Sequence, residues 1–122
     1  MLLDSNAIIY SVKPEFDTLR RFIAEQNPSV SAISYVEVLG YHQLTEPDKD
    51  DFVEFFDTAR IVPVTQSVLI QAVALRQQRK MSLGDAIIAA TALLNELTLV
   101  TANVSDFRWV EDIKLMNPLT EL

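Results

Sequence analysis

The segment from Ser82 to Leu94 constrains the fold of this chain most strongly, because from Ala86 onward it is apolar on nearly every side. A helix with so little polar surface belongs in the interior of a domain. Its first turn nevertheless carries Asp85, and a carboxylate there needs a hydrogen-bonding partner, a counter-charge or a metal ion. Ser82 and Asp85 have the spacing of a capping box, in which both side chains satisfy free backbone N–H groups. Taken alone, Asp85 is therefore explained as a helix cap.

The composition is typical of one globular domain. The 122 residues suffice for one hydrophobic core but not for two. No uninterrupted apolar run reaches membrane-spanning length, and no basic region precedes an apolar segment at the N-terminus. The absence of cysteine excludes disulfides and thiol chemistry. We therefore expect a single domain over residues 1–122, in the cytoplasm and without a membrane partner.

Short apolar segments alternate with helical patterns along the whole chain, which predicts an α/β sandwich. Its central sheet is expected to be mostly parallel, with four to five strands flanked by helices. The predicted strands are Met1–Leu3, Val30–Ile33, Arg60–Val64, Leu97–Thr101 and Ile113–Met116.

The predicted helices begin at Ser5 or Asn6, at residue 15, and at Ser34, Thr45, Thr65 and Ser82. Ser34 and Glu37 repeat the capping-box spacing, which predicts that Glu37 lies on a first turn. The helix after Thr65 is expected to bury one face, formed by Leu69, Ala72, Val73 and Arg76. Helical spacing of Phe52, Phe55 and Phe56 predicts a core or an association surface rather than a platform for nucleobases. Residues 103–106 are expected to form a turn.

Four acidic residues, here called the acidic quartet, fall at junctions between predicted elements: Asp4, Glu37, Asp85 and Asp106. In open α/β sheets such junctions gather at one edge, where ligands bind. Four carboxylates that meet without a counter-charge repel each other and raise each other's pKa. Oxygen-rich clusters of this kind are the ligands that Mg²⁺ and Mn²⁺ prefer, and the lack of accompanying His or Cys disfavours zinc.

Four segments, in the same order along the chain, resemble the motifs of PIN domains and in particular those of VapC-type toxins of type II toxin–antitoxin systems. They are Leu2–Asn6, Ser34–Glu37, Leu83–Ala92 and Thr101–Phe107. The resemblance extends over essentially the whole chain and implies a PIN-like three-layer sandwich. Two positions depart from the family pattern. Ser5 stands where threonine is frequent, and Gly84 stands where a residue with a side chain is more common, which predicts a looser helix start.

The resemblance implies a metal-dependent endoribonuclease in which the acidic quartet binds Mg²⁺, with Mn²⁺ as the alternative. A bound cation lowers the pKa of water towards neutrality and so allows hydrolysis of an RNA phosphodiester without a catalytic histidine. Asn6 and Asn103 would support the carboxylates or ordered water. The resemblance also implies two protein partners, a cognate antitoxin and a second copy of the chain in a homodimer.

The formal net charge of −7 argues against RNA binding, because phosphate contacts come from Lys and Arg. Divalent cations held by the acidic quartet would weaken that objection. Arg76 and Arg79, in the densest basic cluster, and Arg108, two residues after Asp106, are the candidate RNA contacts. Basic side chains at a helix C-terminus are equally explained by the helix dipole.

Two other functions belong to different classes. A phospho-acceptor signalling domain is similarly short, acidic and Mg²⁺-dependent, but it requires a paired acidic cluster after the first strand and a lysine after a late strand. Here Asp4 has no acidic neighbour, and Ala102 and Asn103 follow Thr101. A catalytically silent PIN-fold interaction module is the other alternative, and the intact acidic quartet argues against it.

Overall fold

A computed structural model describes all residues from 1 to 122. Its central sheet has five strands, all parallel, in the order β3-β2-β1-β4-β5. The strands are β1 Leu2–Leu3, β2 Ser29–Ser31, β3 Ile61–Val62, β4 Leu99–Val100 and β5 Leu115–Met116. The predicted α/β class and the parallel sheet are therefore confirmed.

Seven α-helices and one 3₁₀ turn (Pro14–Phe16) connect the strands. The helices are α1 Ser5–Ser11, α2 Asp17–Gln26, α3 Ala32–Leu39, α4 Glu46–Thr58, α5 Gln66–Gln78, α6 Leu83–Leu94 and α7 Val104–Phe107. None of them combines the length and apolarity needed to cross a membrane.

The two residues of each central strand serve opposite faces of the sheet, because successive side chains of a strand point in opposite directions. Leu2 and Leu99 belong to a core shared with α5 and α6, whereas Leu3 and Val100 belong to a core shared with α1, α3 and α4. Helices therefore cover both faces, and the predicted three-layer arrangement is confirmed.

Helix α6 lies in the interior, as its sequence predicts. Gly84 and every residue from Ala86 to Ala92 are buried, and α5 packs along the helix. The small side chains of α6 allow this close packing, and the hydroxyl of Thr91 is satisfied by donating to the carbonyl of Ile87 (2.7 Å).

Two predicted helix starts are wrong by a few residues. Helix α3 begins at Ala32 and is capped by Ser31, whose hydroxyl accepts from the backbone N–H of Ile33. Glu37 therefore lies on the second turn rather than the first. Helix α1 is capped by Asp4 itself, because the strand ends at Leu3 and the helix follows without a linker.

The predicted buried face of α5 is confirmed at Ala72 but wrong at Leu69, Val73 and Arg76. The residues that face α6 are Val68, Ala72 and Leu75, whereas Leu69 and Val73 are exposed. Apolar side chains lie on both adjacent stripes of this helix, so periodicity alone does not identify the packed one.

The segment 103–106, predicted as a turn, instead leads into α7, which buries Phe107. Phe52 and Phe56 are core residues, as expected.

Candidate functional site

The carboxylate of Asp4 is fixed where the strand order reverses, at the carboxyl ends of β1 and β4. Asp4 directly follows β1 and Thr101 directly follows β4. The hydroxyl of Thr101 donates to Oδ2 of Asp4 (2.7 Å), and the backbone N–H of Ser5 donates to Oδ1 (2.8 Å). Both carboxylate oxygens are thus held at the position where open α/β sheets bind ligands.

Burial raises the pKa of Asp4 to about 6 from an ordinary value of 3.8. The hydrogen bonds from Thr101 and Ser5 oppose this rise, while the nearby charges of Asp85 and Glu37 add to it. Asp4 is only 3% exposed, so its charged form is costly in the absence of a compensating positive charge.

Glu37 extends from α3 towards Asp4 and is held by Ser5, which is itself bonded to Ser34. The hydroxyl of Ser5 donates to Oε1 of Glu37 (2.8 Å) and lies 2.9 Å from the hydroxyl of Ser34. Because Ser5 has one hydroxyl proton and gives it to Glu37, Ser34 must donate to Ser5. Ser34 was predicted to be a helix cap, but it is a buried member of this network.

Gly84 leaves room for the other oxygen of Glu37. A Cβ at position 84 would overlap with Oε2 of Glu37, so the glycine permits the close approach of α3 and α6 at this point. The predicted loosening of the helix start is not observed, because Gly84 is buried and α6 is capped by Ser82.

Asp85 lies on the first turn of α6, half-buried, and its backbone N–H donates to the hydroxyl of Ser82 (3.1 Å). Ser82 is therefore the cap of this helix, as its spacing predicts. Burial raises the pKa of the Asp85 carboxyl, a hydrogen bond with Ser82 lowers it, and the charges of Asp106 and Glu37 raise it further.

These mutual effects link all four members of the acidic quartet. The charges of Asp85 and Glu37 act on Asp4, and the charges of Glu37 and of the exposed Asp106, on α7, act on Asp85. The ion pairs of the chain join Asp17 to Arg20 and to Arg21, so no Lys or Arg neutralises the quartet.

The chemistry of this donor set fits a divalent cation. It consists of carboxylate oxygens without a basic counter-charge, and burial together with the acidic neighbours raises the pKa of Asp4 and of Asp85. As the side chains stand, no three of them form a ready ligand group. Asn6 follows Asp4 by two residues, and its buried Oδ1 has no hydrogen-bond partner.

Asn103 supports the site through its backbone. Its N–H donates to the hydroxyl oxygen of Thr101 (3.0 Å), which in turn donates to Asp4, whereas its side chain does not cap α7. Thr101 and Ser34 were not predicted as site residues. The position of Thr101 directly after a strand, and the i, i+3 spacing of Ser34 and Glu37 on one helix face, are signals that could have identified them.

The three candidate basic residues are all exposed. The Arg79 guanidinium lies 5.4 Å from the centre of the Trp109 ring, and the indole N–H of Trp109 donates to the backbone carbonyl of Asp106 (3.0 Å). Arg76 donates through Nε to the carbonyl of Met81 (3.2 Å). Arg79 is thereby linked through Trp109 to the backbone of Asp106. The side chain of Arg108 makes no hydrogen bond or ion pair.

The family model of the PIN domain matches residues 1–111. A search of curated protein sequences gives no significant match. Among solved structures, a toxin–antitoxin complex from Klebsiella pneumoniae contains a chain that is 28% identical, with a TM-score of 0.76 over 96% of each chain. FitAcB from Neisseria gonorrhoeae gives 23% identity and a TM-score of 0.76 over 98% of each chain. VapBC2 from Rickettsia felis, bound to a promoter DNA fragment, gives 19% identity and a TM-score of 0.82, covering 95% of this chain and 96% of the other.

Proposed function

Because this chain belongs to the PIN-domain family, we propose that it is a metal-dependent endoribonuclease, the toxin of a toxin–antitoxin pair. The observation that carries this proposal is the buried carboxylate of Asp4 at the switch point of the sheet. It lies among acidic neighbours without a basic partner and has a pKa of about 6. A divalent cation, Mg²⁺ or Mn²⁺, would supply the positive charge that this group lacks.

In this proposal the acidic quartet holds the cation and the fold fixes the quartet. A cation held by these carboxylates would lower the pKa of water and so supply a nucleophile near neutral pH. Thr101 and the backbone of Ser5 hold Asp4, and the hydroxyl of Ser5 holds Glu37. The cap at Ser82 fixes the start of α6 and with it the backbone of Asp85.

The reaction we propose is hydrolysis in which water attacks phosphorus and the bond to the 3′-oxygen breaks. One product then ends in a 3′-hydroxyl and the other begins with a 5′-phosphate. The only histidine of the chain, His42, is exposed and stacks edge-on against Tyr41 after α3. It contacts no member of the acidic quartet, so the quartet is the stronger candidate for this chemistry.

Two protein partners belong to the same proposal, a cognate antitoxin and a second copy of the chain. The Klebsiella relative was solved as a toxin–antitoxin complex, which supports the first. Exposed apolar side chains such as Val36 (62%) and Ile70 (63%) are suited to contact with another protein. Since RNA is the proposed substrate, we place the reaction in the cytoplasm.

The test is cleavage of mixed structured RNAs by antitoxin-free protein, with Mg²⁺, with Mn²⁺ and with EDTA. We expect metal-dependent cleavage by the wild type and none by Asp4→Asn. Asp17→Asn is the matched control, because that carboxylate lies on the surface of α2, paired with arginines and outside the quartet. Cleavage that persists in Asp4→Asn contradicts the proposal, and metal binding without any cleavage favours the silent interaction module.

A further inference from the structure

A bridge of side chains joins a basic residue to the rim of the acidic quartet. The guanidinium of Arg79 stacks over Trp109 at 5.4 Å, and the indole N–H of Trp109 is bonded to the carbonyl of Asp106. Trp109 also packs against the core formed by α5 and α6, which restrains the ring. The position of Arg79 relative to Asp106 is therefore set by packing and by a hydrogen bond.

A short segment of the chain also connects Arg79 to the start of α6. Arg79 ends α5, and three residues later Ser82 caps α6 by accepting from the N–H of Asp85. The bond from Arg76 to the carbonyl of Met81 further ties this connection together. The stacking on Trp109 and the short connection to Ser82 therefore place Arg79 near the backbone of Asp106 and the start of α6.

The charge of Arg79 has no partner within the chain. Its guanidinium forms no ion pair, since the ion pairs of this protein involve only Asp17, Arg20 and Arg21. Stacking on an indole orients a guanidinium while leaving its N–H groups free to bind an anion. A phosphate presents two oxygens that the planar guanidinium can bind through two parallel hydrogen bonds.

We propose that Arg79 binds a phosphate of the RNA that flanks the cleaved phosphodiester, and that Trp109 positions Arg79 for this contact. This inference rests on the proposed function. It also explains how a chain with a net charge of −7 retains RNA: cations at the quartet neutralise the cleaved phosphate, and Arg79 neutralises its neighbour.

Affinity for a short single-stranded RNA tests the proposal, with Asp4→Asn as the parent so that the RNA is not consumed. Release of one counterion corresponds to about fivefold in affinity at 0.1 M salt and to about 0.7 in the slope of log K against log salt. We expect Arg79→Gln to bind the RNA about fivefold more weakly and to show a salt slope that is smaller by about 0.7. Arg60→Gln is the matched control, because Arg60 is exposed and precedes β3 at the opposite end of the parallel strands.

Trp109→Phe separates positioning from packing, since it keeps an aromatic ring but removes the N–H that bonds to Asp106. We expect it to weaken RNA binding in the parent and to have no further effect once Arg79 is Gln, because it acts through Arg79. Thermal unfolding of each variant checks the fold.

In the wild-type background, Arg79→Gln should raise KM on a longer RNA and leave kcat unchanged. Cleavage of a dinucleotide, which has no flanking phosphate, should be unaffected. Equal RNA affinity of Arg79→Gln and Arg60→Gln, or independent effects of Arg79→Gln and Trp109→Phe, overturns the inference even if cleavage is observed. A parent that binds RNA but a wild type that does not cleave it refutes the proposed function alone. Absence of RNA binding in both the parent and the wild-type protein with Mg²⁺ refutes both.

Discussion

Glu37 occupies the space in which a side chain at Gly84 would begin. The two residues are 47 positions apart in the sequence, yet Oε2 of Glu37 lies so close to Gly84 that it would overlap with the Cβ of any other residue there. Because Oε1 of the same carboxylate is held by Ser5, Glu37 is confined from two sides. The exposed Glu37 is thus held by Ser5, and its carboxylate fits against α6 because Gly84 has no side chain.

We therefore expect Gly84→Ala to fold and to lose most of its cleavage activity, because the methyl group displaces the carboxylate of Glu37. The free energy of unfolding should change little, because the higher helix propensity of alanine, by up to about 1 kcal/mol, offsets the displacement of Glu37. Cleavage rates and urea denaturation measure the two effects. In a Glu37→Ala background the space is free, so Gly84→Ala should stabilise the protein there. Full activity of the single variant would show that the contact does not position Glu37.

A second prediction concerns the hydrogen bond between Thr101 and Asp4. Thr101→Val keeps the shape of the side chain but removes the donor, so the pKa of Asp4 should rise further and metal affinity and cleavage should fall. The loss of a buried bond to a charged group costs about 1.5–3 kcal/mol. Thr91→Val is the control, because its buried hydroxyl bonds only to the backbone of α6. Similar activity of the two variants would contradict a role for Thr101 in holding Asp4.

The pH dependence of stability follows from the raised pKa of Asp4. Between its ordinary value of 3.8 and about 6, the folded protein binds more protons than the unfolded chain, so stability falls as pH rises. A shift of this size corresponds to about 3 kcal/mol, lost as pH rises through this range. The Asp85 carboxyl, whose pKa is also raised, acts in the same direction.

We therefore expect metal-free protein to unfold at a higher temperature near pH 5 than near pH 8, with a smaller difference in Asp4→Asn. Millimolar Mg²⁺ should restore stability at the higher pH, because a ligand that binds only the folded state stabilises it. Calorimetry with EDTA and with Mg²⁺ measures both. If the unfolding temperature in EDTA rises with pH, or if its change with pH is the same in Asp4→Asn as in the wild type, Asp4 is not the source of the pH dependence.

The parts of the fold set by local apolar pattern are predictable from the sequence. The interior position of α6 follows from residues 86–92, and the place of Asp4 follows from the end of a short apolar run. The packed face of α5 is not predictable in this way, because Val68 and Leu69 both belong to plausible apolar stripes and contact with α6 selects between them.

The supporting contacts of the candidate site are less accessible to sequence reasoning. Thr101 and Asp4 are 97 positions apart, and their contact depends on β1 and β4 being neighbours in the sheet. Ser34 has the spacing of a cap relative to Glu37, and only the earlier start of α3 at Ala32 turns it inward to Ser5. In both cases the tertiary arrangement decides which contacts the side chain makes.

Asp85→Asn distinguishes the two interpretations of this residue. The cap of α6 is the Ser82 hydroxyl, so the amide variant should retain the helix and the fold. Loss of the carboxylate should abolish cleavage, because Asn is a poor replacement for a charged metal ligand. Cleavage assays and thermal unfolding with and without Mg²⁺ measure this. A large loss of thermal stability that does not depend on metal would instead favour a purely structural role.

The most direct test of the central claim is the chemistry of the RNA ends after incubation with wild-type protein and Mg²⁺. Hydrolysis by activated water predicts fragments with 3′-hydroxyl and 5′-phosphate ends, formed only when the metal is present and the acidic quartet is intact. Fragments that end in a 2′,3′-cyclic phosphate, formed equally in EDTA, would contradict the claim, because they arise from attack by the ribose hydroxyl without a metal-activated water.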